Sequence, residues 1–308
     1  MAGGLIIAAP RSGSGKTLLT LGLLRHLTRR GVAVVSAKTG PDYIDPAFHA
    51  AASGRPCLSL DTWAMRPETV GALVTCLTAE AALILVEGVM GLFDGATGAD
   101  HRADGSTASL AAVSGWPVVL VVDTRGQAVS AAALVQGFAR FRSDLSVKGV
   151  ILNRTGGPHH VETVRAALVH HVPETMMLGA VPEERRLTLP ARHLGLVQAR
   201  ELPELETFLE MAADVVGAHV DLEALQALAR PAQLVWPAAA PVMPLPPLGQ
   251  RIAVALDDAF AFVYPAVLNG WHDRGAEIVS FSPLNDEPPP RACDAVYLPG
   301  GYPELHAG

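Results

Sequence analysis

LIIAAPRSGSGKT, residues 5–17, decides how the rest of the chain is read. Leu5 to Ala9 make a short apolar strand, Pro10 to Ser14 a loop of mainly small residues, and Gly15-Lys16-Thr17 open a helix. Strand, small-residue loop and helix in that order are the parts of a phosphate-binding P-loop. Small side chains at Ser12, Gly13, Ser14 and Gly15 let backbone N–H groups curl around phosphate oxygens. The helix N-terminus adds its partial positive charge. Lys16 is placed to reach the β- and γ-phosphates of ATP, and the Thr17 hydroxyl to ligate Mg²⁺. One position departs from G-x-x-x-x-G-K-[ST]: Pro10 stands where the first glycine belongs.

Downstream, apolar residues at helical spacing predict a helix over 16–30 that ends at Gly31. A second strand is expected at 32–36, then a Gly/Pro/Asp-rich loop, KTGPDYIDP, at 38–46. Further strands are expected at 82–86, 117–122, 147–152 and 176–180, with helices at 67–80, 129–142, 159–170 and 203–217. Residues 88–105 (GVMGLFDGATGADHRADG) form a loop long enough to suggest function. Strands that are continuous apolar runs, alternating with helices, predict an α/β fold with a mainly parallel, doubly wound sheet. Ligands of such sheets sit beyond the carboxyl ends of the strands. Ser12, Lys38, Asp42, Glu87, Asp123 and Asn153 all fall at or just after strand ends, which argues for one site.

The 308 residues are 50% hydrophobic and 17% charged, with no uninterrupted apolar run long enough for a membrane span and no signal peptide. A formal net charge of −7 without a basic stripe argues against nucleic acid as the main partner. Three widely spaced cysteines (Cys57, Cys76, Cys293) suit a reducing cytoplasm better than a disulfide framework or a zinc knuckle. Residues 231–249 hold six prolines and read as a stiff linker between an ATP-binding domain at 1–230 and a second domain at 250–308. In the second domain strands are expected at 251–256, 276–281 and 294–298, with a helix at 260–272.

Nucleotide-bound Mg²⁺ takes hard oxygen ligands, usually one or two carboxylates with water and phosphate. Asp42 and Glu87 are the best-placed acids. Lys38 is a candidate for holding an anionic substrate or neutralising charge on a transferring phosphoryl group. Asp45 and Asp94 either orient substrate or metal, or serve as capping and turn residues. Asn153 either reads an adenine edge or is a turn residue. The pairs His159-His160 and His170-His171 are not read as metal ligands, because adjacent helical residues point about 100° apart.

Several stretches together resemble one family: APRSGSGKT (9–17), KTGPDYIDPAFHAAASGRP (38–56), DTWAM (61–65), VEGVMGLFDG (86–95), LNR (152–154), AVALDDAFAFVYP (253–265) and YLPGGYPELHA (297–307). They are similar to the cobyrinate/hydrogenobyrinate a,c-diamide synthases of cobalamin biosynthesis. The resemblance implies a dethiobiotin-synthetase-like ATP-binding domain followed by a class I glutamine amidotransferase domain. It implies ATP- and Mg²⁺-dependent amidation of the a- and c-acetate carboxylates of a corrin, with ammonia supplied by glutamine. It assigns Lys16 and Thr17 to phosphate and Mg²⁺, and Asp42 and Glu87 to Mg²⁺, and leaves Lys38, Tyr43, Asp45 and Asp94 on the substrate or coupling side. A substrate site shared across a homodimer is compatible with it. No cysteine follows Cys293 to act as a glutaminase nucleophile, so a chain cut within its amidotransferase domain is expected, one dependent on free ammonia. Two rival readings are weighed at this point: a carboxylating ligase of the dethiobiotin synthetase type, against which GPDYIDP and the C-terminal domain speak, and a ParA/MinD-type nucleotide switch, against which Arg11 speaks, standing where those proteins carry a second P-loop lysine.

Overall fold

The apolar run at the start of the chain pairs on both sides. In the computed structural model, which describes residues 2–184, 186–192, 195–234 and 245–306, β1 (Gly3–Ala8) lies between β4 (Leu83–Glu87) and β5 (Val118–Asp123). With β2 (Val34–Thr39), β3 (Cys57–Leu60), β6 (Val147–Thr155) and β7 (Met176–Pro182) they form a seven-stranded sheet in the order β3-β2-β4-β1-β5-β6-β7. Every pairing in it is parallel. Strands β2, β4 and β5 are buried at every residue, which is why they read as continuous rather than alternating apolar runs. The chain moves outward from β1 to β2 and β3, returns to β4, and then crosses to β5. The order therefore reverses at β1, and the P-loop sits at that switch point.

The helices follow the sequence signals closely: α1 (Lys16–Arg29), α3 (Pro67–Glu80), α5 (Ser130–Arg140), α6 (Pro158–His171) and α7 (Leu205–His219). Three more were not expected: α2 (Asp45–Ser53), α4 (Thr107–Ser114) and α8 (Leu222–Leu228). Strand β3 and a small antiparallel pair, β8 (Ala191–Arg192) with β9 (Gly195–Leu196), were not expected either. The main correction concerns the second strand, which starts two residues later than the sequence suggests and runs through Thr39. Lys38 is thus a strand residue, not a loop residue. A lysine can lie within a fully buried strand here because partners neutralise it, as described below. Asp45-Pro46, read as the end of a loop, instead begins α2, with proline in the first turn.

The chain divides into two compact units, Met1–Ala238 and Ala239–Gly308. The Pro-rich segment expected to act as a linker lies largely at 235–244, outside the described residues. Among its described residues the second unit has a parallel three-stranded sheet, β11 (Glu277–Phe281), β10 (Arg251–Ala255) and β12 (Ala295–Tyr297), with one α-helix, α9 (Pro265–Asp273). Its core is Ile252, Val254, Val267 and Trp271, and the Trp271 indole N–H donates to the Pro246 carbonyl at 3.0 Å. The helix expected from 260 starts only at Pro265. Before it the Asp257 carboxylate accepts from the amides of Ala259 and Phe260 and holds a turn.

In the first unit α1 packs tightly against α7. A Cβ on Gly22 would stand 2.6 Å from the Ala212 carbonyl oxygen and 2.5 Å from a Val216 methyl. Arg25 and Arg29 also reach Glu206, Glu210 and Asp214 along the same seam. These ion pairs are largely exposed and add little; the close approach at Gly22 sets the spacing. Gly22→Val is expected to cost about 1–3 kcal/mol by overpacking, read as a lowered urea midpoint. Gly137→Ala on α5, where a Cβ meets nothing within 4 Å, should leave stability equal or slightly raised.

Candidate active site

The loops after β1, β2 and β4 converge at the carboxyl edge of the sheet. In the P-loop, Gly13 and Gly15 have φ of 76° and 95°, and Ser14 Oγ donates to the Arg11 carbonyl at 2.9 Å. A Cβ at Gly15 would lie 2.2 Å from Asn153 Nδ2, so glycine is required there for space as well as for φ. Ser12 and Gly13 are exposed, whereas Ser14 and Lys16 are buried. Lys16 Nζ donates to the Met90 carbonyl at 2.6 Å, and burial lowers its pKa despite the nearby Glu87, Asp45 and Asp94.

The loop after β4 is clamped onto the P-loop. The Leu92 amide donates to the Ala9 carbonyl at 2.8 Å, and a Cβ on Gly91 would fall 2.7 Å from the Pro10 carbonyl oxygen. Asp94 Oδ2 accepts from the Gly91 amide at 2.8 Å. Asp94 therefore organises the loop that carries Met90, in the turn role left open by the sequence, while its charge acts on Lys16.

Lys38 is the hub of the site. Its ammonium, 3% exposed, donates to Asp45 Oδ2 at 2.6 Å, Glu87 Oε1 at 3.1 Å and the Gly88 carbonyl at 3.2 Å. Asp42 Oδ2 is 4.0 Å away. Burial alone would lower the Lys38 pKa, but Glu87, Asp45 and Asp42 together hold it above the ordinary lysine value. Glu87 has no exposed surface, and burial alone would raise its pKa. Lys38, His49 and Thr17 overcome that and hold it well below the ordinary carboxylate range. Asp45 is pushed up to about 6, chiefly by burial and by its carboxylate neighbours Glu87 and Asp42, with Lys38 opposing. Lys38 and Asp45 thus shift in ways that disagree about how ionic their contact is. Two carboxylates compete for one ammonium, and the geometry favours Glu87 as the permanently charged one, because it has three donors against one side-chain donor for Asp45.

Thr17 Oγ1 donates to Glu87 Oε1 at 2.6 Å. The hydroxyl that the P-loop pattern assigns to Mg²⁺ and the strand-end carboxylate that the resemblance assigns to it are thus in contact, and both are hard oxygen donors. Asp42 is further from that arrangement: its Oδ1 accepts from the amides of Ile44 and Asp45 at 2.8 and 3.1 Å, a turn that leads into α2. Among the described residues no three His, Cys, Asp or Glu side chains cluster as a metal cage. Tyr43, half-buried, lies in the same turn.

Asn153 stands on the other side of the P-loop. Its side chain donates from Nδ2 to the Ser14 carbonyl at 2.8 Å, so it buttresses the loop, and it also borders a cavity of about 260 Å³. Leu18, Arg154, Val181, Pro182 and Leu187 contribute to the lining. Beside it Asp123, at the end of β5, gathers Arg125 and Arg154 at 2.8 Å and Arg11 at 3.6 Å.

Sequence reasoning missed His49 and Cys57. His49 Nε2 lies 2.7 Å from Glu87 Oε2, and its Nδ1 lies 3.4 Å from Cys57 Sγ; all three side chains are almost completely buried. Burial would lower the His49 pKa, but Cys57 and Glu87 outweigh it and hold it at about 10. The usable signal was the spacing Asp45-x-x-x-His49, which puts both side chains on one face of a helix.

With this geometry in view, residues 5–197 match the family profile described as the CobQ/CobB/MinD/ParA nucleotide binding domain. That description still admits both an amidating enzyme and a MinD-type switch. A protein of Brucella ovis named hydrogenobyrinate a,c-diamide synthase is 57% identical over 307 residues, covering 99% of this chain and 68% of its own length. One of the same name from Rhodobacter capsulatus is 52% identical over 309 residues, with coverages of 99% and 68%. The chain belongs to the hydrogenobyrinate a,c-diamide synthase family. Among solved structures, MinD of Pyrococcus horikoshii with Mg-ADP overlaps at a TM-score of 0.40 and 17% identity, over 73% of this chain and 99% of its own. Chloroplast FtsY of Physcomitrella patens does so at 0.42 and 17%, over 69% and 65%. No helix among the described residues is long and apolar enough to cross a membrane.

The Lys38 network gives a stability test. Lys38→Met leaves Glu87 and Asp45 buried without their shared cation and should cost about 3–5 kcal/mol. Lys38→Met combined with Glu87→Gln should recover a large part of that loss. Urea denaturation of the two variants decides it: a double variant no more stable than Lys38→Met would mean that the ion pair does not hold the site together.

Proposed function

We propose that this chain uses ATP to activate two carboxylates of a corrin, the a- and c-acetates of hydrogenobyrinate, for amidation by ammonia. The observation that carries the reading is the joining of the P-loop to the Lys38 network through the Thr17–Glu87 contact, at the edge where β1, β2 and β4 end. Its support from outside the structure is the name shared by relatives that match 99% of the chain.

A carboxylate is a poor acyl donor, because its leaving group would be oxide. Transfer of the γ-phosphoryl makes an acyl phosphate, and ammonia then displaces phosphate with formation of a C–N bond. The protein's share of such a transfer is positioning and charge neutralisation. Lys16 and Lys38 supply the cationic charge, one from the P-loop and one from β2. The P-loop amides from Ser12 to Thr17 would cradle the phosphates. The cavity beside Asn153 is proposed to take the nucleoside, with Leu18, Val181 and Leu187 offering apolar surface for the base and Arg125, Arg154 and Glu183 polar groups at its rim.

Mg²⁺ would be held at Thr17, with Glu87 and Asp42 behind it, and when bound it neutralises developing phosphate charge. Tyr43, Asp45 and Asp94 border the same edge and are the residues proposed to meet the corrin acetate. We take glutamine as the physiological source of ammonia, the second unit, Ala239–Gly308, being the part of the chain that resembles a glutamine amidotransferase domain.

The test is mass spectrometry of corrin incubated with the chain, Mg-ATP and ammonium. Hydrogenobyrinate should gain two amides and cobyrinate fewer, and Lys16→Ala should lower turnover by at least about 100-fold, as expected for loss of a charge-stabilising group at phosphoryl transfer. ATP-dependent dimerisation without amidation of either corrin would overturn the reading in favour of a nucleotide switch.

A further inference from the structure

Glu87 has two oxygens with different neighbours. Oε1 takes Thr17 and Lys38 at 2.6 and 3.1 Å, while His49 holds Oε2 at 2.7 Å. We propose that His49 is a positioning residue: by holding Oε2 it keeps Oε1 turned toward Thr17, where the nucleotide's Mg²⁺ is held. This rests on the reading that places Glu87 at the metal.

The terminal torsion of glutamate is broad, so a carboxylate held on one oxygen alone keeps rotational freedom about it. In a buried site that freedom would let the Lys38 ammonium draw either oxygen. A donor on Oε2 removes the choice. His49 can serve because it is itself fixed at three points. It sits four residues after Asp45 on α2, so both side chains approach the Lys38–Glu87 pair from one helix face. The Ser53 hydroxyl donates to the His49 carbonyl at 2.9 Å. On the far side of the ring, Cys57 Sγ lies 3.4 Å from Nδ1, and Cys57 is anchored in β3 opposite Ser36 of β2. The helix, two strands and the acid are thus linked through one imidazole. Partners that orient a metal-ligating carboxylate in this way typically change metal affinity by 10–100-fold.

Two amide variants separate this role from simple packing. Gln carries its side-chain nitrogen about as far from the backbone as Nε2, whereas Asn reaches only as far as Nδ1, on the Cys57 side. ADP affinity is measured by calorimetry with and without Mg²⁺ for wild type, His49→Gln, His49→Asn and Glu87→Gln. His49→Asn should lower the Mg²⁺-dependent gain in ADP affinity by about 10–100-fold, while His49→Gln stays within about threefold of wild type on the same scale. Affinity without Mg²⁺ should be unchanged in both. Equal effects of Asn and Gln, or an equal loss with and without Mg²⁺, would overturn the role. If Glu87→Gln leaves the Mg²⁺ gain intact, the metal reading of Glu87 fails and the His49 role fails with it. If Glu87→Gln removes the gain but the two His49 variants match each other, only the His49 role fails.

Discussion

A lysine ammonium buried between two carboxylates is the constraint on which this site depends. Lys38 lies next to the last residue of a strand that has no exposed residue, and its charge is tolerable there only because Glu87 on the neighbouring strand and Asp45 at the head of α2 arrive beside it. Such an arrangement is a weak source of stability, since desolvation consumes most of the Coulomb attraction. Its value is geometric. The parallel register sets Lys38 opposite Glu87, and one charge then fixes the carboxyl ends of β2 and β4 and the start of α2 relative to the P-loop helix, which joins through Thr17. The water-excluded setting also makes each of these charges act more strongly on whatever approaches the edge of the sheet.

The sheet was legible because its strands are uninterrupted apolar runs at regular intervals and its P-loop is an order of residue types with a mechanical reason. The elements that were missed share a different cause. α4 is short and built from Thr, Ala, Ser, Leu and Val, so its periodicity is faint; the structure shows it capped by Ser106 at its start and ended by a left-handed Gly115. Strand β3 has only four residues and follows a proline, which reads as a turn. Lys38 was placed in a loop because a charged residue followed by Thr-Gly-Pro looks solvated, and only tertiary pairing overrides that. Candidate site residues could be named from chemistry alone. Their partners could not, because His49 and Cys57 acquire their roles from a helix and a strand that the sequence pattern did not reveal.

Several residues picked for ligand chemistry also hold the scaffold. Asn153 props Ser14, Asp94 ties Gly91, and Asp42 folds the turn into α2. Each is a polar side chain satisfied by backbone groups: Asn153 braces the P-loop from β6, while Asp94 and Asp42 each tie the turn they belong to, before any ligand adds its own contacts. Loss of one brace would act on ligand geometry even where the residue never touches the ligand.

The family profile ends at residue 197, yet the close fit of α1 continues into α7, whose Ala212 and Val216 meet Gly22 and line the cavity beside Asn153. The border drawn by sequence similarity and the border drawn by packing are therefore different. A fragment cut at the first would keep the P-loop and the other motifs before residue 197 but bare the outer face of the P-loop helix and remove one wall of the cavity beside Asn153. For dissecting this family into working parts, the natural seam lies beyond α8.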